Sequence, residues 1–109
     1  MVGMLVLYVG VGVLFVALAV PLTRRQVRPN PLYGLRTRRT LADPRLWYDA
    51  NAYAGRLLAR AGVAVALGAI ILYAVPGLGL LAYTLAETAV LVVAVGAAMV
   101  LSLRYVASR

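Results

Sequence analysis

Three long apolar runs restrict the fold of this chain more than any other feature of its sequence. Residues 2–22 carry no charge, residues 57–75 carry only Arg60, and residues 81–103 carry only Glu87. At about 1.5 Å per helical residue, about 20 residues cross the roughly 30 Å hydrocarbon core of a bilayer. A soluble domain of 109 residues with 64% hydrophobic residues could not bury this much apolar surface. The sequence therefore predicts an all-α integral membrane protein with three transmembrane helices in a single domain.

The first run must be weighed against a secretory signal peptide, because Ala17, Leu18 and Ala19 resemble a cleavage site. A signal peptide starts with a basic region, and its apolar core has about 7–15 residues. Here the run is longer, and the arginines follow it instead of preceding it. We therefore expect the first run to remain as a spanning helix.

The segment of residues 23–56 is polar and basic, and it is predicted to combine an ordered loop with an amphipathic helix. Residues before Pro29 and Pro31 are biased toward extended geometry, which favours a loop. Asp43 followed by Pro44 is typical of a helix start. After it, apolar and arginine side chains separate onto opposite faces, as in helices that lie at a membrane surface. We expect one helix to run from Pro44 through the second span to Val75.

The arginines predict the orientation of the chain in the membrane. Nine of the 11 lie between Arg24 and Arg60, whereas the connection at residues 76–79 is uncharged. The positive-inside rule then places the basic loop and the C-terminus in the cytoplasm and the N-terminus outside the plasma (inner) membrane. This distribution favours a bilayer with anionic headgroups as the contacting surface, and it argues against nucleic acid as a partner.

A motif in the basic segment resembles the SdpI family of small bacterial membrane proteins. The family pattern is N-x-x-x-G-x-R-T-x-x-T, then a Trp, then an Asn four residues later, and a Gly four residues after that. The matching residues here are Asn30, Gly34, Arg36, Thr37, Thr40, Trp47, Asn51 and Gly55. Leu35 stands where the family commonly has an aromatic residue. The resemblance implies immunity against a secreted toxic peptide and a part in signalling through a repressor.

The residues themselves suggest a polar cluster. Asn51 lies on the apolar side of the amphipathic helix, one turn after Trp47, where a side-chain amide needs a hydrogen-bond partner. We predict that Asn51 belongs to a cluster beneath Trp47. Its other members would be Asn30, Arg36 and Thr37. The cluster would either bind a phosphate or carboxylate through arginine, or act as a clasp that satisfies the loop backbone.

Glu87 is the second candidate site, because an acidic residue inside a membrane span is costly and is often functional. With the predicted topology, Tyr8 and Tyr73 reach a similar depth, so either hydroxyl could donate to the carboxyl. Two interpretations stay open. Glu87 is either a structural carboxyl, which is protonated and hydrogen-bonded or shallow enough to touch water, or a proton or cation site in a transporter.

The sequence contains no Cys, His or Lys. It therefore lacks a thiol nucleophile, the commonest metal ligand and the lysine of phosphate-binding loops. We predict no catalytic residue, no metal site and no cofactor. Three functions remain open: SdpI-type immunity to a toxic peptide, a small transporter or channel subunit that works as a homo-oligomer, and a regulatory subunit whose basic loop docks a soluble partner.

Overall fold

The computed structural model describes residues 1–109, and it contains four helices and no strand. They are α1 (Val2–Thr23), α2 (Arg38–Ala42), α3 (Pro44–Tyr73) and α4 (Leu80–Ala107). Helices α1, α3 and α4 are each long and apolar enough to cross a membrane. The predicted all-α fold with three spanning helices is therefore confirmed. The predicted spans at residues 2–22 and 81–103 lie within α1 and α4. The predicted span at residues 57–75 lies in α3, but this helix ends at Tyr73 and not at Val75.

Helix α3 is one continuous helix that includes both the amphipathic stretch and the second span. It begins where the sequence provides a cap: the Asp43 carboxylate accepts hydrogen bonds from Arg45 N at 3.0 Å and from Leu46 N at 3.4 Å. Pro44 occupies the first turn, where its missing N–H has no partner to lose. The 30-residue length of α3 lets it reach from the basic loop to the opposite end of the bundle.

Helix α3 is also the middle helix, because α1 and α4 pack mainly against it and only slightly against each other. Glycines allow the closest approach of α1. A Cβ on Gly62 would lie 2.5 Å from the Gly12 carbonyl oxygen, and a Cβ on Gly55 would lie 3.1 Å from the Ala19 carbonyl oxygen. Small residues at a helix interface let two backbones approach in this way.

The outward faces of the bundle are apolar. Large side chains such as Val6, Leu81 and Val93 are more than half exposed in the isolated chain. A contiguous apolar surface of this kind is unfavourable in water but matches the hydrocarbon region of a bilayer. We call the end of the bundle that holds residues 24–49 and Arg109 the basic end, and the end that holds residues 76–79 the uncharged end.

Candidate functional site

The arginine loop, defined as residues 24–37, is organised by the side chain of Asn30. The Asn30 Oδ1 atom accepts hydrogen bonds from Leu32 N at 2.9 Å and Tyr33 N at 2.7 Å. Its Nδ2 atom donates to Arg28 O at 2.8 Å and Tyr33 O at 3.1 Å. One amide thus satisfies four backbone groups, which fixes the turn. The Arg36 guanidinium donates to Pro31 O across the same turn.

Two side chains of α3 attach this loop to the helix. Trp47 Nε1 donates to Val27 O at 2.8 Å, near the start of the loop. Asn51 accepts from Leu35 N and donates to Leu35 O, near the end of the loop. Its Nδ2 atom also donates to Trp47 O at 3.0 Å. Both side chains are buried, so these bonds are shielded from competition by water.

Gly34 makes this attachment sterically feasible. Its φ of 102° lies in the left-handed region that side chains disfavour. A Cβ at this position would lie 2.7 Å from Asn51 Oδ1 and 3.3 Å from the Trp47 ring. Only glycine lets the loop backbone lie directly on these two side chains.

Thr37 and Thr40 close the loop and start α2. Thr40 N donates to Thr37 Oγ1 at 3.1 Å, and Thr37 N donates to Thr40 Oγ1 at 2.8 Å. This reciprocal pair is a capping box with threonine in place of the usual acidic or amide partner. The Thr40 hydroxyl lies 3.0 Å from Leu35 O, to which it can donate. We call these contacts the loop clasp. They join the backbone of residues 27–40 to the side chains of Asn30, Arg36, Thr37, Thr40, Trp47 and Asn51.

The four residues predicted to form one polar cluster are not hydrogen-bonded to one another. Asn30 and Arg36 bond to backbone oxygens of the loop, Thr37 bonds to Thr40, and Asn51 bonds to backbone atoms of Leu35 and Trp47. The physical reason is that a loop without regular structure presents many backbone groups, and each buried one needs a partner. The geometry favours the clasp alternative, and an anion-binding role for Arg36 stays a prediction.

Asp49 connects three distant parts of the chain at the basic end. Its carboxylate lies 2.6 Å from Arg25 Nη1 and 2.9 Å from Arg109 Nη2. Hydrogen bonds from Arg25 and then Arg109 hold the pKa of Asp49, in the amphipathic part of α3, below its usual value. Arg45 and Arg56 are near Asp49 on the same helix, but its partners are 24 and 60 residues away in the chain, and the sequence did not identify them.

An apolar cavity of about 260 Å³ lies beneath the arginine loop. Its walls come from α1, the loop, α3 and α4, and they are mostly hydrophobic. The lining residues are Leu18, Leu22, Tyr33, Gly34, Leu35, Ala54, Leu58, Val95, Ala98, Met99 and Ser102. Burial raises the pKa of the Tyr33 phenol, whose hydroxyl donates to Leu18 O and so holds the loop against α1. No pattern in the sequence indicated this cavity, because its walls are far apart in the chain.

Glu87 is fully buried between α3 and α4, close to the backbone of Gly68. A Cβ on Gly68 would lie 2.8 Å from Glu87 Oε1. Neither carboxyl oxygen has a hydrogen-bond partner within the chain.

The tyrosine hydroxyls expected to donate to Glu87 do not do so. Tyr8 OH pairs instead with Thr88 Oγ1 of α4, at 2.9 Å. Tyr73 makes only an edge contact with the ring of Tyr83, at 6.5 Å between centroids. Tyr83, one turn before Glu87, donates to Ala69 O at 2.9 Å instead.

Comparison with known proteins agrees with the motif. A model of the SdpI/YfhL protein family matches residues 26–106, from the arginine loop to the end of α4. The uncharacterized protein YfhL of Bacillus subtilis (strain 168) is 46% identical over 37 residues, which are 34% of this chain and 34% of YfhL. The aligned region thus spans about a third of that relative. No solved structure matches this chain. Because the family model covers most of the chain, including every residue of the loop clasp, this multi-pass membrane protein belongs to the SdpI/YfhL protein family.

Proposed function

We propose that this protein protects the bacterial plasma membrane against a membrane-active toxic peptide and relays the presence of that peptide. The observation that carries the proposal is the family match over residues 26–106, which includes the motif that builds the loop clasp. The proposed activity is binding and involves no chemical step.

The proposal includes an orientation. The arginine loop and Arg109 lie at the same end of the bundle, joined by Asp49. The uncharged end carries no arginine. The positive-inside rule then assigns the basic end to the cytoplasm and the N-terminus to the outside.

The loop clasp supports a binding role because it makes the surface at the basic end rigid. A loop that is already ordered loses little conformational entropy when it binds a partner, so more of the contact energy appears as affinity. Exposed side chains on this loop include Leu32, which is 88% exposed, with Arg28 and Arg38 nearby in the chain. These residues are the candidates for contact with the soluble regulator of the relay, and co-purification with and without Arg28→Gln plus Arg38→Gln tests that part.

The protective role is tested by killing assays. A bacterium sensitive to a membrane-active peptide is compared with and without expression of this protein. We expect expression to raise the peptide concentration needed for killing, and we expect Asn51→Leu, which breaks the loop clasp, to abolish the gain. Gln26→Leu is the matched control, because Gln26 is an exposed amide of the same loop without a side-chain hydrogen bond. Equal killing with and without the wild-type protein, at verified membrane expression, would contradict the proposal.

A second candidate function is favoured by Glu87. A carboxyl that is buried at membrane depth without a partner is a common feature of ion pathways. On this reading the protein is a subunit of a small homo-oligomeric transporter or channel. The test is proton or cation flux in reconstituted vesicles. A flux that Glu87→Gln removes favours this function. A flux no greater than that of protein-free vesicles excludes it.

A further inference from the structure

The cavity beneath the arginine loop opens toward the lipid-facing surface of the bundle. Two of its lining residues, which we call its rim, are exposed on the outside of the bundle: Leu18 of α1 is 40% exposed and Met99 of α4 is 51% exposed. At the uncharged end, α1 and α4 are connected by the Tyr8–Thr88 hydrogen bond. At the basic end the cavity lies between the same two helices, with Tyr33, Gly34 and Leu35 closing it on the side of the loop.

The lining chemistry suits a hydrocarbon chain. Nine of the 11 lining residues are hydrophobic, and the one hydroxyl of α4 among them, Ser102, is buried. Water in such a space would have too few polar partners. Leu18 and Met99 lie within the apolar runs of α1 and α4, so acyl chains are the bilayer component expected at this rim.

The size of the cavity suits part of one acyl chain. It offers about 260 Å³, and a flexible hydrocarbon chain can adapt its shape to a space of this volume.

The positive charge on the loop side of the cavity favours a lipid with an anionic headgroup. Residues 23–56 contain eight arginines and two aspartates, so this segment is strongly positive. Arg36 follows the lining residue Leu35 directly and is exposed. A guanidinium binds a phosphate with two parallel hydrogen bonds and attracts anionic lipids.

We propose that this cavity is a binding site for one anionic phospholipid, whose acyl chain enters between α1 and α4 and whose phosphate contacts Arg36. The site is built by the loop clasp, because Gly34 and Leu35 are both clasp residues and cavity walls. It goes beyond the protective function and does not depend on it.

Trp47 provides an intrinsic reporter for the test. It is the single Trp of the chain, and its ring lies against Gly34, a wall of the cavity. The protein is reconstituted in phosphatidylcholine vesicles that contain a minor fraction of phosphatidylglycerol with brominated acyl chains, which quench nearby Trp emission. The comparison arm carries the same fraction of brominated phosphatidylcholine. We expect apparent binding of phosphatidylglycerol to be about fivefold stronger, the factor expected from one arginine near an anionic lipid.

Matched variants separate the two parts of the site. Val95→Phe fills the cavity, whereas Val92→Phe places the same ring on an exposed face of the same helix. Arg36→Gln removes the proposed phosphate partner, whereas Arg104→Gln removes an exposed arginine near the end of α4. We expect Val95→Phe and Arg36→Gln to lose most of the phosphatidylglycerol preference, and both control variants to keep it. The Trp47 emission maximum in vesicles without bromine verifies that each variant retains the loop clasp.

Equal quenching by both brominated lipids would overturn the proposal, because it would indicate only general contact with the bilayer. Unchanged preference in Val95→Phe would overturn it as well. If Val95→Phe abolishes protection against a toxic peptide while neither lipid quenches selectively, the cavity holds a side chain of that peptide and the lipid site is wrong. If expression of the wild-type protein protects no strain against a toxic peptide while phosphatidylglycerol still quenches selectively, the proposed function is wrong and the lipid site is supported.

Discussion

Asn51 bonds both backbone polar groups of Leu35, a residue 16 positions earlier in the chain. The side-chain amide accepts from Leu35 N and donates to Leu35 O, as a neighbouring β-strand would. The amide is buried beside Trp47 and Gly34. A helix side chain therefore replaces the partner that the loop backbone lacks, and this contact fixes the loop wall of the cavity.

Replacing Asn51 with Leu should destabilise the protein. Leucine fills a similar volume but leaves Leu35 N without an acceptor, and each buried unpaired group costs about 1–3 kcal/mol. The free energy of unfolding, followed by Trp47 emission during denaturation with sodium dodecyl sulfate in mixed micelles, should fall by about that amount. Gln26→Leu, in the exposed part of the same loop, should change it by less than about 0.5 kcal/mol. Equal effects of the two variants would contradict the assigned role of Asn51.

Replacing Gly34 with Ala should destabilise the protein through two separate effects. The positive φ costs about 1–2 kcal/mol for a residue with a Cβ, and the new methyl group collides with Asn51 Oδ1 and the Trp47 ring. Gly77 is the matched control, because its φ is 74° but a Cβ there meets nothing within 4 Å. Gly77→Ala should show only the backbone cost. If Gly34→Ala lowers the free energy of unfolding by no more than Gly77→Ala does, the close contact with Asn51 does not contribute to the stability of the protein.

The sequence predicted the helices well because lipid imposes simple rules. Three uncharged or nearly uncharged runs are sufficient to predict three spans, and the Asp43–Pro44 pair marked the start of α3. The motif residues were also identified as a group. Their individual partners were not, because Asn30, Arg36 and Asn51 bond to backbone atoms, and any residue type can supply a backbone atom.

Long-range contacts were the part that the sequence did not reveal. Gly12 resembles the other glycines of α1, yet it alone among them meets α3. Eight arginines share the segment of residues 23–56 with Asp49, yet it pairs with Arg25 alone among them, and its other partner is Arg109 at the C-terminus. Such choices depend on the angle and register at which α1 and α4 pack on α3, and the apolar composition of these helices leaves that register undetermined.

Replacing Gly12 with Ala should weaken the packing of α1 on α3. A Cβ at this position would collide with the Gly62 carbonyl oxygen and lie 2.9 Å from Ala66 Cβ. Forced overpacking of this kind costs about 1–3 kcal/mol. Gly10→Ala on the same helix meets nothing within 4 Å, and it should be neutral or should stabilise the protein by up to about 1 kcal/mol. Denaturation with sodium dodecyl sulfate measures both variants, and a neutral Gly12→Ala would show that α1 packs elsewhere.

Replacing Asp49 with Asn should remove a pH-dependent part of the stability. The pKa of Asp49 is lowered in the folded protein, by hydrogen bonds from Arg25 and then Arg109. Its stabilising contribution is therefore fully present above the unfolded pKa of about 3.9, and it is lost as pH falls through the lower folded pKa. At pH 7 we expect Asp49→Asn to lower the stability slightly, and by less in high salt, because all three side chains are partly exposed. Thermal unfolding near pH 7 and near pH 3 should show the difference between Asp49→Asn and wild type shrinking at the acidic pH. Asp43→Asn is the control, since Asn also caps a helix and the Asp43 carboxylate bonds to backbone N–H groups and not to an arginine side chain. A difference that is the same at both pH values would show that the Asp49 charge does not contribute to joining the loop, α3 and the C-terminus.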